Sequence, residues 1–172
     1  MTVEEFRQLP EDAGSVYHEL RNGELVAVTR PKLKHHKIQS RLRDLLKTHA
    51  EEGAFVEYEV AFRALPEYEI RVADVAYVSA ERSATDDDDD NIRGAPDLVI
   101  EILSPSNTMT EMHDKEQLCL EHGAKEFWVV DPVGRLVKVS TPDGTTRTWR
   151  SGQEIPLPMF GNAKLPVDAI FA

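Results

Sequence analysis

The segment DLVIEILSPS, residues 97–106, places a carboxylate where the chain is most apolar. Leu98, Val99, Ile100, Ile102 and Leu103 are rich in β-branched side chains and end at Pro105, the pattern of a strand buried on both faces. Glu101 sits in the middle of it. Moving a carboxylate from water into such surroundings costs several kcal/mol unless a partner meets it. A second carboxylate stands in EIRVADVAYV, residues 69–78, where alternation puts Asp74 on one face with Val72, Ala76 and Val78. Glu101 shares its own face with Val99 and Leu103. Two such anions on adjacent strands repel, and one takes up a proton unless a cation lies between them. Mg²⁺ suits that position, because one or two carboxylates hold it while water and phosphate oxygens complete its octahedron. Each residue also has a purely structural use: Asp74 as a strand-edge partner of Arg71 or Arg82, Glu101 in a buried ion pair, Asp97 as a turn or capping residue.

A third group follows in TMTEMHDKEQLCLEHG, residues 108–123, which has helical spacing, a Thr N-cap candidate, Glu111 early and Gly123 at its end. With Met112 at zero and a turn of about 100° per residue, Lys115 falls at about 300°, between Leu118 at about 240° and Cys119 at about 340°. Lys115 therefore either buries its stem and snorkels outward or aims a cation at the carboxylates. Asp, Glu and Lys around a divalent ion are chemically sufficient for phosphodiester hydrolysis. The metal polarises the phosphoryl group and acidifies an attacking water, while the lysine orients that water or stabilises the developing negative charge.

The elements that must position these groups can be traced along the chain. VYHELRNGELVAVTR reads as a hairpin turning at Asn22-Gly23, a pair suited to the positive φ values of a type I′ turn. In residues 34–50, Ile38, Leu42, Leu45 and Leu46 share one helical face, with Gly53 as the expected stop. AFVEYEVAFRAL and EIRVADVAYV, joined by the short polar link at Pro66-Glu67-Tyr68, are expected to pair antiparallel. KEFWVVDP is a further buried strand, and GRLVKVSTPDGTTRTWR is strand, turn and strand. Residues from Pro156 onward are expected to be irregular cover ending in an apolar plug, Ile170-Phe171. The fold class is α+β, in a single domain spanning 1–172.

Composition supports a globular chain: 172 residues, 41% hydrophobic and 30% charged. The net charge of -11 argues mildly against polyanionic partners, although five of those charges lie in one run, Asp86 to Asp90, expected to be a solvated loop. The lone Cys119 fits a reducing compartment, the start MTVEEFRQLPEDAG lacks a signal pattern, and no apolar run is long enough to span a membrane. A cytoplasmic location is expected. No dinucleotide fingerprint, P-loop, zinc spacing or nucleophile elbow occurs.

GELV, the His35-x-x-Ile38 helix start, RVADVAYVSAER, RGAPDLVIEILSPS, a helix bearing Lys115, FWVVDP and a closing LPVDAIF occur in one order. Together they resemble the Uma-type family of restriction endonucleases, a branch of the PD-(D/E)XK nuclease superfamily, over nearly the whole chain. The resemblance implies a restriction-endonuclease-like core of helix, three strands, helix and strand over 34–141, with an added N-terminal hairpin over 1–33 and a C-terminal extension over 142–172. It also implies a DNA endonuclease using Mg²⁺ or Mn²⁺, with Asp74 and Glu101 as catalytic metal ligands and a homodimer as assembly. Two positions depart from the pattern: Ala73 replaces the proline before the aspartate, and Leu103 stands where the lysine is usual. Lys115, on the following helix, takes that role. His35 and Glu24 match supporting positions, and their plainer uses are a satisfied core histidine and strand surface. A non-catalytic interaction or regulatory domain that keeps the fold is the alternative, with Glu101 and Lys115 as a simple ion pair.

Overall fold

The computed structural model describes residues 1–172. A short helix, α1 (Val3–Phe6), closed by a Thr2–Glu5 capping box, precedes the hairpin of β1 (Val16–Arg21) and β2 (Glu24–Thr29). Asn22 and Gly23 take φ of 49° and 80°, as the type I′ turn requires. Then come α2 (Leu33–Lys47), β3 (Phe55–Arg63), β4 (Arg71–Val78), α3 (Ala80–Ser83), β5 (Ile92–Arg93) and β6 (Leu98–Ile102). The chain continues as α4 (Met109–Glu121), β7 (Glu126–Asp131), β8 (Leu136–Ser140) and β9 (Thr146–Arg150). It closes with β10 (Glu154–Leu157), β11 (Ala163–Pro166) and α5 (Val167–Ile170).

One seven-stranded sheet, ordered β5-β3-β4-β6-β7-β8-β9, organises the molecule. β3–β4 and β4–β6 are antiparallel, as expected for the first pair, while β6–β7 are parallel and joined through α4. All five β6 residues are buried, because α2 covers one face and α4 the other. On the α2 face, Ile38, Leu42 and Leu46 pack with Val75, Tyr77, Ile100, Trp128 and Val130. On the α4 face, Cys119 packs with Ala76, Val99, Phe127 and Val129. Burial pushes the Cys119 thiol up to about 12, so it is a packing group and no nucleophile.

Three expectations need correction. α2 ends at Lys47 with Thr48 as C-cap in the helical region, so Gly53 (φ 84°) serves the later turn into β3 and does not stop the helix. The C-terminal stretch is ordered: β10 and β11 form a ribbon whose Ile155, Leu157 and Leu165, with Ile170, seal the α2 face of the core. Its prolines are tolerated because each strand of a two-stranded ribbon has a free edge, where a missing N–H costs nothing. The acidic run is not uniformly solvated, since Asp90 is gripped by Arg7, Arg63 and Arg93. Burial is outweighed by the Arg63 and Arg7 guanidinium groups and the Asn91 N–H, which hold its carboxyl well below the usual range.

Candidate active site

β4 and β6 part company at the level of the two carboxylates. Their pairing runs through Tyr77↔Leu98, Ala76↔Val99 and Val75↔Ile100 and stops there. On its other side β4 is released at the same residue. The β3–β4 register passes from Tyr58↔Val75 to Val60↔Ala73 without an intervening pair, and Glu59, opposite Asp74, takes φ of 54°. A positive φ at a non-glycine residue carries a local conformational cost. It leaves Asp74 free of both ladders.

Side chains satisfy the backbone at this split. Asp74 Oδ2 accepts the Ile102 N–H at 2.7 Å, and Glu101 Oε1 accepts the Asp74 N–H at a long 3.4 Å. From α4, Lys115 Nζ lies 2.8 Å from Glu101 Oε1 and donates to the Val72 carbonyl at 2.6 Å. The cation that makes Glu101 tolerable in the strand is thus an ammonium of the chain itself. From α2, Gln39 Nε2 donates to Asp74 Oδ1 at 3.1 Å, and His35 Nε2 lies 3.0 Å from the same oxygen without good hydrogen-bond alignment. From β1, Glu19 Oε1 accepts the Val72 N–H at 2.9 Å while Arg21 Nε donates to its other oxygen at 2.9 Å.

The structure therefore brings Asp74, Glu101, Lys115 and His35 together and adds Glu19 and Gln39, which sequence reasoning missed. Gln39 had a signal: a polar residue beside Ile38 on the apolar face of α2. Glu19 had none locally. It arrives because Leu20 and Ile70 exchange backbone hydrogen bonds (3.0 and 2.8 Å) that dock the hairpin against the start of β4. Glu24 is exposed beside the turn, register partner of Arg21, and makes no hydrogen bond or ion pair to this group. Asp97 accepts the Ser79 N–H that opens α3, a structural role. Thr108 caps α4, as expected, in a box with Glu111.

Burial, reinforced by the negative charge of Asp74 and opposed by Lys115, pushes the Glu101 carboxyl up to about 7. Burial disfavours the Lys115 ammonium, but Glu101, Glu19 and Asp74 outweigh it and hold the lysine charged. Burial likewise works against a charged His35, yet Asp74 and Glu101 raise it above its ordinary value. Carboxylates and cations interleave in the cluster: Asp74 and Glu101 face His35 and Lys115, and Glu19 faces Arg21.

Whether a divalent ion suits these residues can be judged from the donors. No three His, Cys, Asp or Glu side chains converge into a ready cage, which argues against a zinc-type centre. Two carboxylates meeting at a strand split, one of them partly exposed, fit Mg²⁺ or Mn²⁺, which take most of their ligands from water and phosphate. The buried Gln39 Oε1 has no protein partner and lies on the side chain that holds Asp74.

Residues 3–168 match the model of the Uma2 family, described as "Putative restriction endonuclease". A solved structure from Anabaena variabilis, described as a "putative nuclease belonging to DUF820", superposes with a TM-score of 0.82 at 25% identity, covering 99% of this chain and 97% of that one. No curated protein matches. No helix of the chain is long and apolar enough to cross a membrane. The family match spans the hairpin that brings Glu19, the strands bearing Asp74 and Glu101 and the helix bearing Lys115, and on that extent the chain belongs to the Uma2 family of restriction-endonuclease-like proteins.

Proposed function

We propose that this protein is a metal-dependent endonuclease that hydrolyses DNA phosphodiester bonds, with Asp74 and Glu101 holding Mg²⁺ or Mn²⁺. The observation that carries the reading is the meeting of Asp74, Glu101 and Lys115 at the split between β4 and β6. A divalent ion bound there would supply Lewis acidity to the phosphoryl group and lower the pKa of water. Lys115 has three N–H donors, of which Val72 and Glu101 use two, so the third is free for a water or phosphoryl oxygen. Its charge stabilises the negative charge that gathers on the phosphoryl oxygens as water adds and the P–O bond breaks. Gln39 and the Ile102 N–H fix the Asp74 carboxylate, and Glu19 with Arg21 fixes the Val72 segment to which Lys115 is anchored. Positioning of this kind removes reorganisation from the reaction itself. A homodimer would supply two such sites for two strands.

The alternative, a non-catalytic domain retaining the fold, is favoured by one observation: Lys115 already neutralises Glu101. Calorimetric titration with Mn²⁺ separates the two. Wild type should bind, and Asp74→Asn or Glu101→Gln should abolish binding. Absence of binding at millimolar metal with DNA present would leave the ion-pair reading in possession of the site.

A further inference from the structure

We infer that the segment entering α2, with Arg30, Lys32, Lys34 and Lys37, is the surface that grips the phosphate backbone of duplex DNA beside the candidate active site. The inference rests on the nuclease reading and names the surface that delivers its substrate. Residues 25–43 contain six Lys and Arg and no Asp or Glu, so against a whole-chain charge of -11 the rest of the protein stands at -17. Segregation this strong creates a local positive field on an acidic protein, and that field selects polyanions.

The charges are also free. Arg43 and Lys47, further along α2, are paired with Asp44 and Glu57, His36 approaches Glu59, and Arg41 donates to the Ile170 carbonyl. Arg30, Lys32, Lys34 and Lys37 form no ion pair with a carboxylate; Lys32, Lys34 and Lys37 are exposed, and Arg30 lies over the Tyr17 ring. Their placement does not serve folding. α1 and α4 open with acidic capping boxes, whereas α2 has no acidic residue in its first turn and no side-chain cap. Cations at that end oppose the helix dipole and cost stability. What they gain is position: Lys34 adjoins His35, which reaches within 3.0 Å of Asp74. A backbone held by Lys32 and Lys34 runs beside His35 at the start of α2, and Lys37, about 200° round the helix from His35, extends the grip along the outer face.

The test is fluorescence anisotropy of a labelled duplex of about 20 bp, roughly two turns, in EDTA over a series of salt concentrations. The proteins are wild type, the triple variant Lys32→Gln/Lys34→Gln/Lys37→Gln, and Lys125→Gln/Lys164→Gln as a control on exposed lysines of other elements. The triple variant should bind about tenfold or more weakly at low salt. Its plot of log K against log salt should flatten by about 0.9 for each phosphate that the variant no longer neutralises. Its melting temperature should hold or rise, and the control should match wild type. Unchanged affinity and slope in the triple variant, an equal loss in the control, or no duplex binding by wild type would overturn the inference. Binding with the expected slopes by a wild type that cuts nothing would keep the inference and sink the nuclease reading. Cleavage by wild type with slopes insensitive to the three lysines would do the reverse.

Discussion

Lys115→Met should cut the rate of DNA cleavage by roughly 10²-fold or more, the scale expected when one preorganised electrostatic group is removed. Lys115 sits almost fully buried, 2.8 Å from Glu101 and bonded to the Val72 carbonyl, so its charge is aimed and little screened. Methionine keeps the apolar stem and a similar volume, which limits the packing consequence. The rate is read from single-turnover cleavage at low salt in Mn²⁺, where the chemical step is separated from binding. A variant that cuts as fast as wild type would remove Lys115 from the chemistry.

The largest stability effect should come from dividing the same pair. Removing either partner leaves a buried group without its counter-charge, a change that costs about 3–5 kcal/mol in typical buried pairs. Here the cost of Lys115→Met should fall toward the lower end, because the Glu101 carboxyl, already pushed up to about 7, can take up a proton. In urea denaturation with EDTA, Glu101→Gln and Lys115→Met should each destabilise by about 3 kcal/mol, or roughly 6–12 °C in Tm for a chain of this length. The double variant should fall short of the sum by about 2 kcal/mol. Strict additivity would mean that the ion pair contributes nothing specific and that Glu101 is held by the sheet alone.

How much of this was legible in the sequence varies with the range of the interaction. The apolar run around Glu101 identified β6 as buried on both faces, and helical spacing put Lys115 on the inner side of α4, because both inferences use local periodicity. The same alternation suggested a metal between Asp74 and Glu101 but could not show that a four-carbon lysine stem reaches Glu101 first. The release of Asp74 from both ladders was also invisible, since it depends on Glu59 adopting φ of 54° and on where β4 and β6 cease to pair. Glu19 was missed for the most non-local reason. Its place is set by the Leu20–Ile70 bridge, 50 residues apart in sequence, and no pattern within the hairpin announces it. In the C-terminal ribbon the prolines misled, because their meaning depends on whether a strand has a free edge.

The most direct test of the central claim is conversion of supercoiled plasmid by wild type and Asp74→Asn in Mn²⁺ at low salt, each with an EDTA control. Asp74→Asn is the informative variant, because asparagine retains an acceptor for the Ile102 N–H while removing the charge. The account predicts metal-dependent nicking or linearisation by wild type, abolished by EDTA and reduced by roughly 10²-fold or more in Asp74→Asn. Intact plasmid with stoichiometric wild-type protein that binds Mn²⁺, or equal cleavage by Asp74→Asn, would contradict it.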